Sequence, residues 1–402
     1  MMRFDSVGLN PKLVDKAKEF GFEKLTPIQE KGIPSIMEGR DFVGQAETGS
    51  GKTVAFALPI LSKIRPREGI QVLVLTPTRE LCVQVTDVFR DFGDQLGIKT
   101  TSVYGGVGIE PQIMDLRTAD VVVATPGRTL DHIGRNTINL TRTKWLVLDE
   151  TDKMFEMGFI EDVEEIIKRI PKQRQTLMFS ATISVDVHEI LEKHIKNPVI
   201  ARTKSHVDAK MLKQVYYDIY PPNMKFSLLV HLLKHHTSGL AIVFCATRDE
   251  SSIVSENLIK NGINAAAIHG GMSQDKRLKS LEKLRKEHID VLVATDVAAR
   301  GLDIKNVTHV YNYDVPKTPE EYTHRIGRTA RAGEKGMAVT MLTQRDHENF
   351  RRVMGDQSLH IEEADLPHVR KVFFNRNVER ERPMHSGYGQ RRGQYNRQRP
   401  RR

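Results

Sequence analysis

One stretch of eight residues, Ala46-Glu47-Thr48-Gly49-Ser50-Gly51-Lys52-Thr53, limits what this chain can be more than any other. Its ending is that of a phosphate-binding loop, with Ala46 standing where a first glycine is usual. Small residues are needed because the backbone must curl around a phosphate with its N–H groups pointing inward. Asp41–Gln45 reads as a short strand entering the loop. Val54, Ala57, Leu58, Leu61 and Ile64 keep i, i+3, i+4, i+7 spacing on a helix leaving it. That helix turns its N-terminus toward the phosphates. Ala46, Thr48, Gly49, Ser50 and Gly51 then line the cradle, Lys52 meets the β- and γ-phosphates, and the Thr53 hydroxyl ligates magnesium. A ligand-free glycine turn is the bland alternative, and the lysine–threonine ending counts against it.

A loop of this kind needs a carboxylate opposite it. Asp149-Glu150 closes the apolar run Trp145-Leu146-Val147-Leu148, which sets both acids at the carboxyl edge of a strand, where α/β sheets bind ligands. Asp149 is expected to hold magnesium through water, and Glu150 to orient and deprotonate an attacking water. Alone, such a pair reads more simply as a helix N-cap; the upstream loop reverses that preference.

The apolar runs set the fold class. Gln71–Thr76, Asp120–Thr125, Trp145–Asp149 and Thr176–Ser180 form one set. Val215–Tyr220, Ala241–Cys245, Ile263–His269, Asp290–Thr295, Val307–Tyr311 and Ala338–Leu342 form another. Runs apolar at nearly every position suit parallel strands covered on both faces. A chain of 402 residues is also too long for one core. The expectation is an α/β protein of two tandem lobes, residues 1–202 and 213–366, joined by a linker at 203–212 and followed by a basic disordered tail at 367–402. No repeat at the level of sequence relates the halves.

Charge matters chiefly in that tail. Between Arg370 and Arg402, ten arginines and Lys371 face only Glu379 and Glu381, a local +9 out of the chain's +10. A solvated end and an anchor on a polyanion both fit; Tyr388 and Tyr395, which can stack on bases, favour the anchor. Cys82 and Cys245 follow no ligand spacing. No apolar run approaches the ~20 residues of a membrane helix and no signal-peptide core opens the chain, so a cytoplasmic protein without membrane contact is expected.

His324-Arg325-Ile326-Gly327-Arg328-Thr329-Ala330-Arg331 sets Arg328 and Arg331 three apart, on one side if the segment is helical. Two such arginines can reach across a cleft to a transferring phosphoryl group; a solvated basic face is the alternative. With this run in place the chain resembles the DEAD-box RNA helicases, over about Phe4 to Leu342 and with the motifs in family order. The resemblance implies two RecA-like P-loop domains that bind ATP and Mg2+ and take RNA as partner. It also implies RNA-stimulated ATP hydrolysis, driving lobe closure, local separation of short duplexes and ribonucleoprotein remodelling.

By the same resemblance, Phe4 would stack on adenine and Gln29 would hydrogen-bond it, with Phe22 and the Lys24 backbone lining the pocket. Asp303 would contact the ribose. Pro77, Thr78, Arg79, Gly105, Gly106, Thr125, Pro126, Gly127 and Arg128 would grip RNA from lobe 1. Thr247, Arg248, Gly270, Arg277, Thr295 and Asp296 would do so from lobe 2. Ser180-Ala181-Thr182 would couple hydrolysis to unwinding. Glycines for close approach, with threonine and arginine donors, suit a sugar–phosphate backbone rather than base edges. Contacts to 2′-hydroxyls can favour RNA, although RNA over DNA rests mainly on the resemblance.

Thr151 stands where the family's acidic box has alanine, and Leu25 where a proline is frequent. The first is expected to tune activity, the second to let its turn flex. His235-His236 reads as a solvated helix end, Cys245 as a small buried hydrophobe and Met154–Met157 as core packing. Two other functions use similar parts: a translocating DNA helicase, and an ATP-gated RNA clamp that remodels complexes without productive unwinding.

Overall fold

The computed structural model describes residues 2–46, 49–183, 185–203, 211–286, 288–299, 304, 306–330 and 335–376. The apolar runs become two seven-stranded sheets, parallel throughout. The first contains β1 (Phe42–Gln45), β2 (Val72–Leu75), β3 (Thr100–Val103), β4 (Val121–Ala124), β5 (Trp145–Leu148), β6 (Gln175–Ser180) and β7 (Val199–Arg202), in the order β3-β4-β2-β5-β6-β1-β7. The second contains β8 (Leu212–Asp218), β9 (Leu240–Phe244), β10 (Ala265–Ile268), β11 (Val291–Ala294), β12 (Val307–Asn312), β13 (Gly336–Leu342) and β14 (Glu362–Glu363), in the order β10-β11-β9-β12-β13-β8-β14. Adding seven to each number of the first order gives the second. One topology is therefore built twice from sequences that share no visible repeat.

Helices cover both faces of each sheet, which is why the central strands are apolar throughout. In lobe 1, Phe42, Phe56, Phe89 and Phe179 pack on one face and Leu73, Leu146, Met178 and Val187 on the other. Of β3, β7 and β14, which the sequence did not announce, β3 is filled by Thr100, Thr101 and Ser102, β14 is Glu362 and Glu363, and β7 is a four-residue strand that buries only Ala201. All three lie at sheet edges, where one side of the strand needs no partner.

Met154 is fully buried as expected, but Met157 is 41% exposed beyond the end of its short helix. Residues 367–376, placed in the tail by the sequence, instead belong to lobe 2. Val369, Val372 and Phe374 pack on its core, and Asn257 exchanges two hydrogen bonds with the backbone of Asn375, at 2.9 and 2.8 Å. Residues 377–402 lie outside the described residues. Among the described residues no helix is long and apolar enough to cross a membrane.

Candidate nucleotide and nucleic-acid site

Parallel strands bring all their carboxyl ends to one edge, so Ala46, Thr76, Asp149 and Ser180 meet there although they are far apart in the chain. The loop after β1 reaches the helix Lys52–Leu61 through Gly49 and Gly51, at left-handed φ of +83° and +90°. An added Cβ on Gly51 would stand 2.4 Å from Gln29 Nε2. Gln29 Nε2 donates to the Gly51 carbonyl (3.1 Å), Thr26 Oγ1 donates to that of Ser50 (2.8 Å), and Gln29 Oε1 accepts from the Thr26 N–H (2.9 Å). The residue expected to read adenine thus also braces the phosphate loop.

Phe4 is 2% exposed, its ring stacked on Phe22 with centroids 6.4 Å apart, while Arg3 bridges Lys24. Leu25 does not loosen its turn. It is buried in the core, and its N–H bonds to the Met2 carbonyl at 2.9 Å. Thr48 lies outside the described residues.

Lys52, Asp149 and Glu150 are all buried. Burial, opposed by the pull of the Lys52 ammonium and helped by the Glu150 charge, pushes the Asp149 carboxyl up to about 6. Glu150 occupies the left-handed region (φ 51°, ψ 51°), uncommon for a residue with a side chain, and its Oε2 is buried without a hydrogen-bond partner. A strained backbone and an orphaned buried oxygen persist where the surroundings hold a residue for another purpose. A glycine cradle, a buried lysine and two desolvated carboxylates are a donor set that fits a triphosphate with a hard divalent cation. Thr53 and Asp149 would hold Mg2+, which would neutralise charge on the phosphoryl oxygens.

Thr151, the departure in the box, directs its hydroxyl to the carbonyls of Leu148 (3.3 Å) and Phe179 (3.4 Å). Asp152 continues the box into the next motif. Its N–H donates to Ser180 Oγ (3.2 Å), and its Oδ2 accepts from both the N–H and hydroxyl of Thr182 (3.2 Å each). Ser180 Oγ in turn donates to the Thr182 carbonyl at 2.6 Å. The acidic box and Ser180-Ala181-Thr182 form one network, so a shift at one reaches the other.

The raised Asp149 carboxyl has a measurable consequence. The folded chain keeps this proton to about pH 6, whereas an unfolded chain releases it near the ordinary value of 3.8. Folding stability therefore falls as pH rises through that window, and the full cost applies above it. Asp149→Asn removes an ionised buried group and is expected to stabilise the protein by about 3 kcal/mol near pH 8 and hardly at all near pH 4, while ending ATP hydrolysis. Thermal melts at both pH values check this; an equal or lower Tm for the variant at high pH would refute it.

The expected RNA residues gather on two matching platforms. Thr78 caps the helix Arg79–Gly93 after β2 by accepting from Leu81 N (3.3 Å). Thr247 caps the helix Arg248–Lys260 after β9 by accepting from Glu250 N (3.1 Å). Each following arginine lies against a glycine pair beyond an edge strand. A Cβ on Gly106 would meet Arg79 Nη1 at 2.0 Å, and one on Gly270 would meet Arg248 Nη2 at 3.4 Å. Glycine is required at Gly106 in particular, because its φ is +82° as well.

Arg128 donates to the Val107 carbonyl (3.1 Å) and leaves Nη1 buried without a partner; Pro126 and Gly127 open its helix behind Thr125. Pro77 lies just before Thr78 in the chain. In lobe 2, Thr247, Arg248, Gly270 and Thr295 line one cleft of about 450 Å³. Arg277 reaches across to lobe 1, 3.1 Å from Glu80, and its Nε is likewise buried without a partner.

Arg328 is 5% exposed, but it does not extend a helix: the helix Pro319–Ile326 ends at Gly327, and Thr329 is pinned by its hydroxyl to the Val307 carbonyl (2.6 Å). Arg331 and Asp303 lie outside the described residues. Arg325 went unremarked in the sequence and is the hub of this region. It grips both oxygens of Asp296 at 2.6 Å, donates to Asn312 Oδ1 (3.2 Å) and the Asp314 carbonyl (2.6 Å), and lies over the Phe244 ring. Asp296 is thereby occupied by an arginine of its own lobe. Neighbouring His324 comes within 3.3 Å of Lys153 in the helix that follows the acidic box. A dense run of arginine and histidine was the only sequence signal for these roles.

Two tandem parallel α/β lobes, one with a phosphate loop and acidic strand end and the other presenting buried arginines, define a P-loop nucleoside triphosphatase of the two-lobed kind. Comparison with known proteins narrows the class. The family described as DEAD/DEAH box helicase matches residues 26–190, and the Helicase conserved C-terminal domain matches 224–333. The chain is 46% identical over 349 residues to the ATP-dependent RNA helicase CshA of Listeria monocytogenes, covering 86% of this chain and 67% of that one. It is 44% identical to the DEAD-box ATP-dependent RNA helicase CshA of Geobacillus kaustophilus, covering 86% and 74%. S. cerevisiae Dbp5 bound to RNA and ADP BeF3 superposes with a TM-score of 0.82 at 30% identity, over 90% of this chain and 96% of that one. A DEAD box protein from the hyperthermophile Methanococcus jannaschii, 38% identical, superposes at 0.55 over 91% and 99%. The chain belongs to the DEAD-box family of ATP-dependent RNA helicases.

Proposed function

We propose that ATP and a single strand of RNA bind between the lobes and draw them together, that the joined groove bends the strand and separates short duplexes or remodels ribonucleoproteins, and that hydrolysis reopens it. The observation that carries this reading is the pair of contacts between lobes, Arg277 to Glu80 among the RNA residues and His324 to Lys153 beside the acidic box. One closure thus touches both sites, and by linkage each ligand strengthens binding of the other. The closer superposition on the RNA- and nucleotide-bound relative than on the more identical M. jannaschii protein supports the same arrangement.

In this reading Gln29 holds the base against the loop it braces, Lys52 and Arg328 hold the phosphates from opposite lobes, and Glu150 takes the proton of the attacking water. Thr78, Arg79, Arg128, Thr247 and Arg248 hold backbone phosphates, which makes binding independent of sequence. The test is steady-state ATPase with RNA, with DNA and with neither, followed by strand separation on short and long duplexes. RNA-specific stimulation and unwinding confined to short duplexes are expected. Equal stimulation by DNA would favour a translocating DNA helicase, and stimulation without unwinding an RNA clamp.

A further inference from the structure

The helicase reading leaves one well-formed cleft in lobe 2 without a role. The shared strand order puts β8 where β1 stands in lobe 1, and β12 where β5 stands. The chain leaving β8 enters its helix, Lys225–His235, on a lysine, as the chain leaving β1 enters on Lys52; Asp314 follows β12 much as Asp149 follows β5. Lobe 2 thus keeps the lysine and aspartate of a phosphate site, but not the site. Lys225 Nζ is neutralised by Asp346 at 3.2 Å and Asp314 at 3.6 Å. The connecting residues Ile219-Tyr220-Pro221-Pro222-Asn223-Met224 contain no glycine, and the two prolines offer no N–H. A triphosphate finds no amide cradle here.

Above this cluster remains a cleft of about 710 Å³, within the usual range for small-ligand sites. Asn223, Glu250, Gln344, Arg345 and Arg376 are among its walls. The amides and carboxylate suit base edges, and the guanidiniums suit phosphate. Arg345 is 66% exposed, and Tyr220, which is not itself a wall of the cleft but stands two residues before the wall residue Pro222, is 88% exposed and free to swing its ring over an unstacked base at the cleft's mouth.

Position adds to chemistry. Thr247, Arg248 and Asp249 line the neighbouring cleft with Gly270 and Thr295, and the next residue, Glu250, lines this one. The Ala246 N–H, from the wall of the first cleft, bonds Asp314 Oδ2 beneath the second at 2.9 Å. The segment held by Asn257 delivers Arg376 into the same cleft, and the arginine-rich tail follows directly in the chain.

We infer that this cleft is a nucleotide subsite that takes one unpaired nucleotide of the bound RNA, its base beside Tyr220, Asn223 and Gln344 and its phosphate at Arg345 and Arg376. The inference rests on the RNA-binding reading above and extends the strand's path beyond the groove that grips backbone alone.

The test uses the full chain with a non-hydrolysable ATP analogue and fluorescent oligouridylates of about 6 and about 12 nucleotides, lengths that bracket the strand with and without the subsite. The affinity ratio of long to short is compared for wild type, Tyr220→Ala and Arg345→Gln, with thermal melts of each. Wild type is expected to favour the longer strand, and each variant to lose roughly tenfold of that preference, the scale of one stacked base or charged contact. Because Arg345 also pairs with Asp314, exposed Tyr220 keeps the test decisive if Arg345→Gln melts early. Photocrosslinking of 4-thiouridine RNA to residues 219–224 would support the subsite. A long-to-short ratio unchanged in Tyr220→Ala would overturn the inference alone. Wild type binding neither oligonucleotide would overturn the helicase reading, and the inference with it.

Discussion

Glu150→Gln is expected to lower the turnover number for ATP hydrolysis by about 10²–10⁴, the range of a lost general base, and to leave ATP and RNA binding in place. The substitution preserves shape but removes the oxygen able to accept a proton. Glu150 Oε2 makes no hydrogen bond that the change would break, and the left-handed backbone is demanded equally of either residue. The variant should fold and melt like wild type, so its defect is chemical. Single-turnover hydrolysis beside equilibrium binding of a labelled nucleotide separates the two effects. Turnover within threefold or so of wild type would remove Glu150 from the chemistry and leave its strain unexplained.

Arg328→Ala is expected to cost more, about 10³–10⁵ in RNA-stimulated turnover, the scale of a missing arginine finger. Arg328 is buried in a small cavity with Phe244, Asp296, His324 and Arg325, on the lobe opposite the phosphate loop. ATP held by lobe 1 should still bind, so KM should move far less than turnover. Arg328→Lys should not restore activity, because an ammonium cannot reproduce the planar fork. Arg325 provides the contrast. Its loss would leave the carboxylate of Asp296 and the amide of Asn312 without their partner, and should appear as lowered Tm as well as lost activity. If Arg328→Ala reduced turnover less than tenfold, the composite site would fail.

The nucleotide end of this protein was legible in its residues because a phosphate cradle is local. Ala46 through Thr53 are consecutive, the glycines are there for backbone angles that only glycine takes cheaply, and Asp149-Glu150 ends an apolar run whose partners need not be known. Fold class followed from the same kind of signal, since strands covered on both faces are apolar at every position. The polar edge strand β3 carried no such mark.

The tertiary structure alone decided what depends on distant segments meeting. It showed that Gln29 braces the phosphate loop, that Leu25 is an anchor, that Asp152 and Thr182 share a network, and that Arg325 holds Asp296. It also paired Thr78–Arg79 with Thr247–Arg248 as equivalents and turned residues 367–376 into a segment packed on lobe 2. Such contacts join residues with no fixed spacing and no shared period. The cost of burying a polar group unpaired selects them, and that cost exists only once the chain is folded.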